Sequence, residues 1–204
     1  MTMLQIKQLG ITDYAETLNN MQQYTKQRNE LSDDQIWITE HPPVYTQGLN
    51  GKAEHILTQS PIPIVQTDRG GQVTYHGPGQ LIIYFLVNLV RKKIGVKQCV
   101  NRIETIIIKF LQQYNIDAYA KADAPGVYVN EAKISALGLK IRKGCSYHGL
   151  SLNNDMDLSP FNAINPCGYK GLQITQLKDF GIQISQQQLS ESLIPIIKQE
   201  FNYA

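Results

Sequence analysis

Apolar positions along the chain follow two different periods. Tyr14, Leu18 and Met21 fall on one helical face, and Asp13 followed by Glu16 has the spacing of a capping box, which predicts a helix over 13–28. Residues 35–39, around Trp37, read as a strand that stops at His41-Pro42-Pro43, because two prolines forbid its continuation. Residues 81–89 are almost uninterruptedly apolar and predict a buried central strand. Ile103, Ile106, Ile107, Phe110 and Leu111 mark an amphipathic helix over 100–113.

Beyond residue 126 the period shortens. Val127-Tyr128-Val129 predicts one strand, a turn follows at Asn130-Glu131, and 133–142 returns as a second. Lys143-Gly144 turns again into a third strand over 146–152. Ser159-Pro160 has the form of an N-cap with proline at the first helical position, and a last helix spans 186–201 with a kink expected at Pro195. The expected assembly is an α/β fold, a mixed sheet packed with helices. No repeat or low-complexity linker divides the 204 residues, so they read as a single domain, 1–204.

Composition adds mainly exclusions. A chain 42% hydrophobic and 18% charged can bury its own core without a structural metal or disulfides. No apolar run approaches a membrane span, and the first residues lack the basic start and apolar core of a signal peptide. The expected location is the cytoplasm, with no membrane or nucleic-acid partner. Three cysteines, none in a Cys-x-x-Cys pair, suit free thiols in a reducing compartment, and no His, Asp or Glu spacing suggests a metal.

Four segments carry candidate chemistry. Arg69-Gly70-Gly71-Gln72-Val73-Thr74-Tyr75-His76-Gly77-Pro78-Gly79-Gln80 is a glycine-rich stretch whose backbone can approach a ligand, or simply a set of turns; it matches no phosphate-binding fingerprint. On a regular strand Lys133 and Ser135 share a face with Leu137, Leu139 and Ile141, which leaves Lys133 either partly desolvated or snorkelling to water. Cys167, between Pro166 and Gly168, has the access that a nucleophile needs, whereas Cys99 on a helical core face and Cys145 at a strand start read as structural. Gly149, after His148, is either a bulge or a point of close approach; in the second case its N–H and that of Leu150 are oxyanion donors.

Together these segments resemble the lipoyl (octanoyl) transferase family. The resemblance rests on Glu40-His41-Pro42-Pro43-Val44-Tyr45, the stretch 69–80, Pro125-Gly126-Val127, the stretch 133–139, His148-Gly149-Leu150, and 156–168 with Asn165-Pro166-Cys167-Gly168. It covers about 35–180 in the family's order; Ser135 and Gln47 stand where many relatives have alanine and leucine. It implies a fold of the biotin and lipoate protein ligase type, no cofactor, and a monomer. Cys167 matches the family's nucleophile and Lys133 the lysine that activates it. The acyl pocket would be lined by Arg69, Gly70, Gly71, Gln72, Val73, Thr74, Tyr75 and His76, by Ala136, Leu137 and Gly138, and by Gly149, Leu150 and Ser151.

The activity so implied is acyl transfer. Octanoyl-acyl carrier protein would be the donor, and lipoyl domains of 2-oxoacid dehydrogenase E2 subunits and the glycine-cleavage H protein the acceptors. Three other functions compete with it: an ATP-dependent lipoate or biotin ligase, a thioesterase with Cys167 and His76 or His148 as its pair, and a binding module without turnover.

Overall fold

Residues 3–203 are described in a computed structural model. A seven-stranded sheet carries most of the chain. Its strands are β1 (Leu4–Ile11), β2 (Asp34–Glu40), β6 (Gln80–Leu86), β7 (Tyr119–Ala120), β8 (Gly126–Val129), β9 (Ala132–Arg142) and β10 (Cys145–Asn153), in the spatial order β1-β2-β6-β10-β9-β8-β7. β1 and β2 run parallel and the remaining neighbours antiparallel. A second sheet of three short strands, β3 (Val44–Gln47), β4 (Ile64–Gln66) and β5 (Val73–His76), has the order β4-β3-β5.

Alternation along β6 explains how the layers form. Leu81, Ile83 and Phe85 enter the main core with Ile103, Ile107 and Phe110 of α2 (Val96–Gln112) and Leu189, Leu193 and Ile197 of α3 (Gln186–Glu200). Ile82, Tyr84 and Leu86 point the other way and meet Met21 of α1 (Tyr14–Gln27), with Trp37 and Tyr147. β6 is covered on both faces, which is why its sequence shows no apolar–polar alternation.

Helix ends follow local chemistry. Asp13 accepts the Glu16 N–H as the cap of α1, and Ser185 accepts the Gln188 N–H at α3. α2 starts earlier than the expected 100, since Gln98 Oε1 takes the Gly95 N–H and adds a turn. α3 runs on through Pro195, which is exposed. At Ser159-Pro160 the expected helix is only a 3-10 turn, Ser159–Ala163, and Ser159 is not its cap; the Ser159 N–H donates to the Asp157 carboxylate. Phe161 and Ile164 tie that turn into a third apolar cluster with Tyr45, Val73, Tyr75 and Met156.

One register shift changes the faces of β9. Val127 pairs with Ser135 but Tyr128 with Lys133, so Ile134 is the extra residue of a β-bulge. Ile134 enters the main core, where Leu137, Leu139 and Ile141 also pack. Lys133 is thereby turned away from the apolar stripe that regular alternation assigned to it.

Candidate active site

Cys167 lies 34 positions from Lys133 in sequence, and the fold puts its Sγ 3.2 Å from the Lys133 ammonium. Chain return accounts for this. Past Cys167 the backbone runs alongside the β9 bulge: the Lys133 N–H donates to Gln173 O at 2.8 Å and the Thr175 N–H to Lys133 O at 3.1 Å. The turn bearing Cys167 is held by the Asn165 N–H on His55 O and by the Tyr169 hydroxyl on Asp123 O, each at 2.8 Å. Cys167 itself has φ 56°, ψ 15°, a left-handed conformation uncommon outside glycine. Such backbone costs on the order of 1–3 kcal/mol and persists where the surroundings fix it.

Lys133 is 2% exposed. Its Nζ also donates to Pro125 O at 3.1 Å and sits 5.2 Å from the Tyr128 ring centre. Burial works against the ammonium, yet attraction to Cys167 and Tyr128 outweighs it and raises Lys133 above the ordinary lysine value. Gly126 makes room for this side chain: φ is 136°, and a Cβ there would stand 3.1 Å from Lys133 Cε. Burial pushes the Cys99 thiol up to about 12 and raises Cys145 as well, which disfavours the thiolate of both.

A cavity of about 450 Å³ opens beside the pair, within the range typical of small-molecule sites. Its sheet wall is built from residues that share one face: Ala136, Gly138, Gly149 and Ser151, with Ile82 and Tyr84. Leu137 and Leu150 contribute atoms to the wall while packing into the main core. Arg69, Gly70, Gly71, Gln72, Thr74 and His76 close the opposite side. Val73 and Tyr75 do not line this cavity. They alternate away from Gln72, Thr74 and His76 and fill the small apolar cluster instead, because 73–76 is a strand and not a loop.

The two walls come close at Gly70 and Gly138. The Gly70 N–H donates to Leu139 O at 3.0 Å, and a Cβ at Gly138 would stand 3.1 Å from Arg69 Cδ. Arg69 is buried, donating to Thr46 O, Thr46 Oγ1 and Gly70 O at 2.7, 2.8 and 2.9 Å. No carboxylate pairs with it among the described residues. Burial lowers its pKa, partly offset by interactions with Tyr14 and Cys167.

His76 and His148 are occupied elsewhere. His76 bonds Gln80 Oε1 at 2.7 Å and Thr46 Oγ1 at 3.3 Å, and burial followed by the charge of His41 lowers it to about 3. His148 bonds Asp68 at 2.8 Å, and burial lowers it too. Neither hydrogen-bonds to Cys167, so a Cys–His pair lacks its geometry.

Gly149 also departs from expectation. It pairs with Tyr84 on one side and Gly138 on the other, which commits its amide and that of Leu150 to the sheet ladder and leaves neither as an oxyanion donor. A methyl at Gly149 would overlap the Ile83 carbonyl oxygen of the neighbouring strand. Gly149→Ala should therefore lower stability by about 1–3 kcal/mol, seen as a lower Tm. A wild-type Tm would show that the strand can yield there.

Several lining residues escaped the sequence reading. Tyr14, Tyr84, Asp123 and Tyr169 belong to the cavity, and Tyr128 flanks Lys133. Only Pro125-Gly126 lay close enough to Tyr128 to hint at it. Tyr14 was visible solely as a helix core position.

The catalytic-domain model for lipoyl protein ligase A/B matches residues 13–198. An octanoyltransferase of Shewanella loihica is 57% identical over 202 residues, 99% of this chain and 93% of its own. Among solved structures, a bipartite lipoate protein ligase from Thermoplasma acidophilum superposes with a TM-score of 0.81 over 100% of this chain and 86% of its own, at 14% identity. A biotin protein ligase from Aquifex aeolicus gives 0.56 over 99% and 70%, at 13% identity. At such identities the two structures establish likeness of fold only.

Proposed function

The chain belongs to the lipoyl protein ligase A/B catalytic domain family, and from that premise we propose that it is a protein octanoyltransferase working through an acyl-Cys167 thioester. The observation that carries the proposal is the Cys167–Lys133 pair, 3.2 Å apart, at the wall of a largely apolar cavity. A free-acid ligase activates its substrate as an adenylate and has no use for a nucleophilic thiol. The donor is octanoyl-acyl carrier protein, and the acceptor is a lysine of a lipoyl domain or of the glycine-cleavage H protein. One solved structural neighbour is a ligase described together with its E2 lipoyl domain, which fits an acceptor of that kind.

In the first step the Cys167 thiolate attacks the donor carbonyl. A sulfur–carbon bond forms, the bond to the carrier sulfur breaks, and the departing thiolate takes a proton from Lys133. Acylation also removes the attraction to Cys167 that favours the ammonium, while the burial that opposes it remains. In the second step the acceptor amine attacks the acyl carbon, its proton passes to Lys133, and the amide leaves behind the original thiolate and ammonium. Thioester exchange is nearly balanced and amide formation is downhill, so no ATP is consumed. Arg69 supplies a second positive charge facing Cys167.

The test is transfer from octanoyl-acyl carrier protein to a purified lipoyl domain with no nucleotide present, followed by mass spectrometry of the domain. One added octanoyl mass is expected. Transfer that needs ATP and free octanoate would assign the chain to the ligases instead.

A further inference from the structure

A buried carboxylate that the mechanism above does not use stands one peptide group away from Lys133. Glu104, in the middle of α2, is 7% exposed. Its Oε1 accepts the Gly126 N–H at 2.9 Å. The same peptide unit presents Pro125 O to the Lys133 ammonium at 3.1 Å, and that ammonium meets Cys167 Sγ at 3.2 Å. Carboxylate, peptide group, ammonium and thiol thus form one continuous chain of hydrogen bonds.

We propose that Glu104 is a positioning residue that acts on Lys133 through the Pro125–Gly126 peptide group, holding the ammonium against Cys167 and governing when it gives up its proton. A carboxylate on the N–H side of an amide draws the amide dipole into line and makes its carbonyl oxygen a stronger acceptor. Its charge also favours the cation directly. A neutral acceptor would satisfy the Gly126 amide equally well, and an ionisable group in a buried position costs desolvation. Burial does raise the Glu104 carboxyl, while the Gly126 amide and then the Lys133 charge act in the opposite sense. The titratable groups facing Lys133 are Cys167 from its turn, Tyr128 from β8 and Glu104 from α2, with Arg69 facing Cys167 from the other wall. Glu104 is the acidic member of this set contributed by α2, and it does not itself line the cavity.

The inference rests on the Cys167–Lys133 reading, and the experiment separates the two. Glu104→Gln keeps an oxygen for the Gly126 amide and removes only the charge. The alkaline limb of kcat/KM for octanoyl-acyl carrier protein, where the Lys133 ammonium is lost, should then move to lower pH by roughly half a unit or more. KM for the lipoyl domain and Tm should stay near wild type. Glu104→Asp, which retains the charge, should keep the limb closer to its original place. An unmoved limb in a folded Glu104→Gln protein overturns the proposal and leaves Glu104 a buried hydrogen-bond acceptor. The wild-type protein answers the same question whether or not the variant folds. The ¹³C shift of the Glu104 carboxyl should step at the pH of the alkaline limb, and the step should vanish in Lys133→Met; no step in wild type also overturns it. Normal transfer by both Cys167→Ser and Lys133→Ala would instead refute the pair itself.

Discussion

Cys167→Ser should lose octanoyl transfer by at least about a thousandfold, because an alcohol beside a lysine cannot replace a thiolate as nucleophile at neutral pH. Wild-type protein incubated with octanoyl-acyl carrier protein should gain one octanoyl mass that hydroxylamine removes, and Cys167→Ala should gain none. Cys99→Ala and Cys145→Ala should acylate as the wild type does. Their thiols are buried in α2 and at the start of β10, with both pKa values raised by that burial. Acylation that survives in Cys167→Ala would place the nucleophile elsewhere and remove the basis for the two-step route.

Lys133→Ala should cost transfer roughly 10²–10⁴-fold, the usual range for removing a general acid–base. It should also slow alkylation of Cys167 at neutral pH, since the cation at 3.2 Å is gone. Lys133→Arg separates the two roles. Arginine restores a positive charge but is a poor proton acceptor, so thiol alkylation should recover further than transfer to the acceptor lysine. Isolated acyl-enzyme of the arginine variant should accordingly persist when the lipoyl domain is added. If alkylation proceeds equally fast in wild type and Lys133→Ala, the lysine does not activate the thiol. If the arginine variant transfers as fast as it alkylates, the base role is wrong.

Local chemistry made much of this molecule legible without coordinates. Periodicity and strand-forming runs located α1, α2, α3, β2 and the run β8–β10, and β6 stood out as an unbroken apolar run because both its faces are buried. Strand alternation failed at Lys133, where one inserted residue, Ile134, reverses which side chains face the core. β1 and the three-stranded sheet went unread. β3, β4 and β5 have only four, three and four residues, too few for a period to register; β3 and β5 are buried against the cluster around Phe161, and β4 is largely exposed.

The active-site residue types were in the sequence as well: a thiol between proline and glycine, a lysine at the head of an apolar strand, and glycines at the close approach of two walls. Their partnership was not. Lys133 and Cys167 meet because the chain beyond the thiol pairs with the bulge in β9, a contact made by backbone groups whose order carries no side-chain signature. The tertiary structure likewise decided that Gly149 serves the packing of two strands, that His76 and His148 are engaged away from the thiol, and that Glu104 reaches the site through a peptide group. Sequence records which groups are present and how each segment folds locally. Which groups face each other is settled only when separate segments compete for the same buried space.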